Sequence, residues 1–332
     1  MSLYDAVAAL PLHVESYELE RLEQPVSSNF TRVTTVIHLR GAGEEGVGED
    51  VTYDAAQHPP PGDLPLTGEH TLDSFSAVLE PHGFSDFRRW GFESAALDLA
   101  LRQAGRSLAD AVGREPRPVR FVVSKRFETI DVLRRLLDRY PGTRFKLDPT
   151  SDWSDDLVAE LAALAGVDTV DLKGAYHGTS VDQPPDPPLY ERVARGFPEA
   201  WIEDPALTAE TEPVLEPYRD RITWDAPIHS VADVEGLPVP PRTLNVKPSR
   251  FGPLRELFAF YDHCAARGIG LYGGGQFELG PGRGQVQYLA SLFCPGAPND
   301  VAPSGYNAIE PADGLAVSPL EPNPAPAGFR WL

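Results

Sequence analysis

"AWIEDPALTAETEPVLEPYRDRITWDAP", residues 200–227, sets the pattern for most of the chain. It begins as a buried strand, "AWIED", passes through a helix-length stretch, "ETEPVLEPYRD", and returns to a second apolar strand, "RITWDAP". Two strands joined by a helical crossover are the unit of a parallel sheet. Each strand also runs out on acid: Glu203 and Asp204 after the first, Asp225 after the second. Such a carboxylate is either a solvated turn residue or a group that holds something positive.

The same cadence extends in both directions. Strands are expected at "VRFVVSK", "TRFKLD", "VDTVDLKG", "AWIED", "RITWDAP", "TLNVKP" and "IGLYGG", and the stretches between them carry helical spacing or length. This alternation from Pro118 predicts an α/β fold with a parallel sheet, and seven or eight such steps predict a closed barrel. A last short strand is expected near "PNDVAPS". Residues 1–115 read differently, as an α+β module. Strands "LHVESYELERLEQ", "FTRVTTVIHLRG" and "GVGEDVTYD" precede a loop at 58–68 and the helical stretches "HTLDSFSAVLEPHG" and "WGFESAALDLALRQAGRSLADAVG". The division expected is 1–115, 116–304 for the barrel, and a Pro-rich strap at 305–332.

Composition narrows the partners. The 332 residues are 42% hydrophobic, enough to fill a substantial core. Acids outnumber bases 49 to 29, a formal charge of −20, which repels nucleic acid and anionic membranes and argues against either as a partner. No apolar run has membrane-spanning length, and "MSLYDAVAALPLHVES" lacks a basic region, so a cytoplasmic protein is expected. Cys264 and Cys294 are too few for a disulfide scaffold or a zinc cluster. "GPGRGQ" at 280–285 lacks the Lys-Ser/Thr of a nucleotide phosphate loop, which argues against nucleotide binding.

In a (β/α) barrel the C-terminal strand ends carry the site. Here they read Lys125; Lys146 and Asp148; Asp171 and Lys173; Glu203 and Asp204; Asp225; Lys247; then Gly273 to Gly275 and Glu278. Burying such charges costs on the order of several kcal/mol each unless they are paired or metal-bound. Asp171, Glu203 and Asp225, one from each of three successive strands, would converge as oxygen-only ligands, a set suited to Mg²⁺. The plainer reading makes them helix caps or turn residues, and Asp204 before Pro205 reads as one. His177 and His229 read as solvated loop histidines.

"WGFESAALDLALRQAG", "WIEDP", "DAPIHSVADV", "LNVKPSRFGPLRELFAFYDHCAARGIGLYGGGQFELGPGRGQ" and "NDVAPSGY" together resemble the enolase superfamily, in its mandelate racemase/muconate-lactonising branch. The resemblance is strongest to o-succinylbenzoate synthases, N-acylamino acid racemases and dipeptide epimerases, with "NVKPSRFG" its most specific segment. It implies a (β/α)7β modified TIM barrel under an N-terminal α+β capping domain. It implies metal acids at Asp171, Glu203 and Asp225, spaced by 32 and 22 residues, with Lys247 a further 22 on as the sixth-strand lysine. It further implies Mg²⁺, a small-molecule carboxylate substrate, and a homo-oligomer, since many relatives form dimers or octamers. "SNFTRVTT" at 28–35 is either the family's mobile cap loop or core strand. Acid-sugar dehydratases of the superfamily use a histidine after the seventh strand, and "GIGLYGGGQFE" has none.

Two departures accompany the matches. The family's second barrel strand carries Lys-x-Lys, whereas "FKLDPT" keeps Lys146 and puts Asp148 in the place of the second lysine. The third usually carries Asp-x-Asn, whereas "VDLKG" puts Lys173 two residues after Asp171, on the same strand face. Asp148 and Lys173 are expected to pair at the barrel mouth. The function expected is Mg²⁺-dependent removal of a proton α to a carboxylate, by an elimination or an epimerisation, in a lyase or isomerase whose second-strand base is altered. Lys247, Lys146, Asp148 and Lys173 are the candidate catalytic residues. The alternative is a catalytically impaired member that binds a metabolite or serves a structural role.

Overall fold

The computed structural model describes residues 2–26, 30–59, 62–127, 129–164, 166–179, 181–308 and 310–332. The first module is an antiparallel meander of β2 (Ser16–Val26), β3 (Phe30–Gly41) and β4 (Glu44–Asp50), with a separate pair formed by β1 (Pro11–Val14) and β5 (Gly68–Thr71). The single expected strand "LHVESYELERLEQ" is thus two, broken at Glu15, because its first half pairs with residues 68–71 rather than with β3. Of "SNFTRVTT", Ser28 and Asn29 lie outside the described residues, and Phe30 onward is strand.

One helix, Asp86–Gln103, covers the meander. Ser85 caps it, its hydroxyl accepting from the Arg88 N–H at 3.3 Å. Its contact with β4 explains the "GVGED" spelling: a Cβ on Gly48 would stand 2.1 Å from the carbonyl oxygen of Gly91. The helical stretch expected over 90–113 ends at Gln103 and restarts as Leu108–Val112, with Gly105 in the left-handed region (φ 61°) between them.

Among the described residues seven parallel strands follow: β6 (Val123–Lys125), β7 (Arg144–Leu147), β8 (Gly166–Asp171), β9 (Trp201–Glu203), β10 (Ile222–Thr223), β11 (Thr243–Val246) and β12 (Gly270–Gly273). β6 to β10 form one sheet in sequence order, and β11 pairs with β12. Backbone bonds link the strands across both gaps. The Asn245 N–H donates to the Trp224 carbonyl at 3.0 Å. At the other gap, Asn299 and Asp300 bridge β12 to the segment leading into β6: Asp300 N–H to Gly273 at 2.7 Å, Val122 N–H to Asn299 at 2.8 Å. This is where the last short strand was expected.

The C-terminal segment crosses the barrel and then the first module. Leu320 bridges Val119. Farther on, the Asp98 carboxylate, buried in the covering helix, accepts from the Phe329 N–H at 2.7 Å and pairs with Arg330. Among the described residues, no helix is long and apolar enough to cross a membrane.

Lys125 faces away from the site expected of it. In parallel register Ser124 lies beside Lys146 and Lys125 beside Leu147, so Lys125 points opposite to Lys146. Its buried ammonium donates to the Tyr306 carbonyl at 2.8 Å. Burial pushes it down to about 8 from 10.5, a displacement worth about 3 kcal/mol. Below pH 8 both folded and unfolded chains carry this charge, and the fold bears its full burial cost. From there to pH 10.5 the folded chain gives up the proton first, so stability rises with pH. Lys125→Met is expected to gain about 1–3 kcal/mol in urea unfolding at pH 7. Its advantage over the wild type should shrink as pH rises through 8 to 10.5; a loss of stability at pH 7 would contradict this.

Candidate active site

Strand register builds the centre. Asp171 and Glu203 are direct neighbours on β8 and β9, so their side chains share a face. Thr223 lies beside Glu203, which puts Asp225, two residues on, on that same face one step higher. All three acids are buried, and one carboxylate oxygen from each lies within 4.8 Å of the others.

Four cations surround them. Lys146, from β7, bonds Glu203 and stands 3.2 Å from Asp171. Lys173 bonds Asp171 and lies 3.7 Å from Asp148, so the expected pair stands at the mouth, with Asp171 the nearer partner of Lys173. Lys247 donates to Asp225 Oδ2 at 2.8 Å, and Arg250 to Oδ1 at 2.6 Å. Gly274 leaves the room Lys247 needs, since a Cβ there would stand 2.9 Å from its carbons.

Several groups at the centre were not singled out in the sequence. Arg250 belongs to the quoted "KPSR" run but had no role. The Tyr176 hydroxyl donates to Asp225 Oδ2 at 2.8 Å, and the Tyr272 hydroxyl bonds Glu203. Asn245, two residues before Lys247 and so on its strand face, points Nδ2 at Glu203 from 3.5 Å; that alternation was available in the sequence. Asp204 corrects the turn reading. It is fully buried, with φ 50°, and its two oxygens accept the Asp225 and Ala226 N–H groups, each at 2.9 Å. It therefore fixes the backbone from which Asp225 projects. Glu278 turns instead to Arg283 at 2.8 Å. His177 is exposed, and His229 bonds the Arg250 carbonyl, so neither joins the carboxylates. In and beside the "GPGRGQ" stretch, the buried Glu49 carboxylate accepts from the N–H groups of Leu279, Gly280 and Gly282 at 2.7–3.1 Å.

The charges test whether a divalent cation fits. Counted as ionised, Asp148, Asp171, Glu203, Asp204, Asp225 and Asp300 exceed Lys146, Lys173, Lys247 and Arg250 by two formal charges among the described residues. Burial, then the neighbouring acids, pushes the Glu203 carboxyl well above its ordinary value and that of Asp204 up to about 7. An all-oxygen set with this surplus fits a hard divalent cation at Asp171, Glu203 and Asp225. Adding Mg²⁺ is expected to raise the unfolding temperature, by mass action worth about 2.7 kcal/mol at a hundredfold excess over Kd. Glu203→Gln should lose most of that increment; an undiminished increment would place the cation elsewhere.

Family models match both modules: "Domain of unknown function (DUF8230) N-terminal domain" over residues 5–111 and "Domain of unknown function (DUF8230) C-terminal domain" over 115–308. The o-succinylbenzoate synthase of Geobacillus kaustophilus is 26% identical over 294 residues, 80% of this chain and 75% of that protein. Among solved structures, a muconate cycloisomerase from Pseudomonas fluorescens aligns with a TM-score of 0.67 at 20% identity, covering 96% of this chain and 94% of that one. A dipeptide epimerase from Enterococcus faecalis aligns with a TM-score of 0.71 at 14% identity, covering 96% and 99%.

Proposed function

The chain belongs to the DUF8230 family and has the enolase-superfamily fold of the muconate-lactonising branch, and from that premise we propose that it removes the proton α to a carboxylate, with Mg²⁺ at Asp171, Glu203 and Asp225 and Lys247 as the proton acceptor. The observation that carries the reading is the buried three-carboxylate cluster with a lysine hydrogen-bonded to its edge. The named relatives are enzymes, and the o-succinylbenzoate synthase and the epimerase set the range of reactions considered. On this reading 1–115 is the cap, 116–304 the barrel and 305–332 the strap that ties them.

A proton α to a carboxylate is too weakly acidic for a lysine to remove unaided, and a bound divalent cation supplies charge stabilisation for the enediolate. The chain's own groups supply the rest. Lys247 is buried, and burial holds its ammonium below the ordinary lysine value, with Arg250 adding to the effect and Asp225 opposing it. That favours the neutral amine a base must be. Lys146, locked between Glu203 and Asp171, holds those carboxylates in place. Arg250 and Tyr176 orient Asp225.

Epimerisation needs an acid/base group on each face of the substrate. The other two lysines at the centre are each engaged by two carboxylates, Lys146 by Asp171 and Glu203 and Lys173 by Asp171 and Asp148. We therefore favour a one-base elimination or proton exchange over a two-base epimerisation. A second reading rests on Asp148, which stands where the resemblance assigns a basic lysine: a member without turnover that binds a carboxylate metabolite.

Incubation with Mg²⁺ in D₂O against a panel of carboxylates is expected to place deuterium at the α carbon of at least one. Lys247→Ala should lower that exchange by about 10²-fold or more. Equal exchange by both proteins would remove Lys247 from the chemistry. Binding of a carboxylate without exchange would establish the second reading.

A further inference from the structure

Asp148 and Lys173 end neighbouring strands, and neither is a ligand in the three-carboxylate centre. Lys173 leaves β8 in the left-handed region, at φ 55°, a conformation that costs energy in a residue with a side chain. There both of its donors fall on one acid. Its N–H donates to Asp171 Oδ1 at 3.1 Å, and its ammonium bonds Asp171 Oδ2. Lys146 adds a second ammonium to Oδ2, at 3.2 Å. The residue after next thus covers both oxygens of a carboxylate that a divalent cation needs. A lysine ammonium and a dication repel strongly at such range in a buried site, so entry of the cation must move Lys173.

Asp148 provides the place to move to. Its Oδ2 stands 3.7 Å from the Lys173 ammonium, too far for a hydrogen bond. Its Oδ1 is buried and has no hydrogen-bond partner among the described residues. A buried carboxylate oxygen left unpaired is costly and rare, and a short swing of a lysine chain would satisfy it. The acceptor, the donor and the reason for transfer lie within one side-chain length.

We propose that Lys173 occupies Asp171 while the centre lacks a divalent cation and passes to Asp148 when one enters. Asp148 is then a positioning residue that sets the metal affinity of the site by drawing away an internal competitor. The proposal rests on the three carboxylates being a metal centre, and is independent of which reaction the site performs.

The sign of each effect on affinity tests it, by calorimetric titration of Mn²⁺ into the full chain. Lys173→Met removes the competitor and is expected to tighten binding about tenfold. Asp148→Asn leaves Lys173 on Asp171 and is expected to weaken binding about tenfold, whereas Asp148→Glu should remain within about threefold of wild type. These are the effects of one charge-assisted contact. In the double variant the Asp148→Asn loss should largely vanish, because Asp148 acts through Lys173. A persistent full loss there would show that Asp148 contributes charge alone and would overturn the exchange, as would unchanged or weaker binding by Lys173→Met. Absence of Mn²⁺ binding by the wild type, with each variant's thermal unfolding intact, would overturn the metal centre itself. Failure of α-deuteration leaves these affinities standing, so the reaction and the exchange fail separately.

Discussion

Three buried carboxylates with oxygens within 4.8 Å of one another are the constraint around which the barrel mouth is arranged. At an effective dielectric near ~20 each pair repels by roughly 3 kcal/mol, and desolvation adds to the cost. The surrounding residues answer that repulsion. Lys146 rises from β7 between Asp171 and Glu203; Lys247 and Arg250 grip both oxygens of Asp225; Tyr272 and Asn245 face Glu203. With Asp148, Asp204 and Asp300 added to the acids and Lys173 to the cations, the acids at the mouth exceed the cations by two formal charges among the described residues. A purely structural cluster gains nothing from such a surplus, whereas a divalent cation removes it.

The first module and the barrel meet over this centre through fixed contacts. Arg32, fully buried in β3, donates to the carbonyls of Thr52 and Val51 on its own side and to Gln276 and Phe277 beyond β12. Glu49, on β4, takes the N–H groups a few residues farther along that loop. One module therefore holds both the carbonyls and the amides of a single segment, residues 276–282, that borders the mouth. The C-terminal strap completes the tie through Asp98. The Gly280 and Gly282 N–H groups of the glycine-rich loop are bonded to this internal carboxylate, so its likeness to a nucleotide phosphate loop is superficial.

Much of this was legible in the residues. The strand–helix cadence gave the parallel strands because period and length suffice to identify βα units, and the acids at their ends followed from strand alternation. What stayed hidden depended on direction and partnership. Lys125 ends its strand and Lys146 lies one residue short of the end of its own, yet the register turns Lys125 to the opposite face, and register is not written in a single strand. Asp204 looked like a turn residue because a residue before proline often is one; the two backbone N–H groups that donate to it come into reach only when the chain beyond β10 lies beside it. Tyr176 comes from a loop whose path no periodicity describes. The break at Glu15 was equally invisible, since it reflects a partner strand more than fifty residues away.

Anomalous diffraction from crystals grown with Mn²⁺ addresses the central claim most directly. The expected result is a single strong peak bounded by the carboxylates of Asp171, Glu203 and Asp225, with the Lys173 ammonium no longer on Asp171. Carboxylates still bridged only by Lys146, Lys173 and Lys247, with no peak among them at saturating Mn²⁺, would contradict a metal centre.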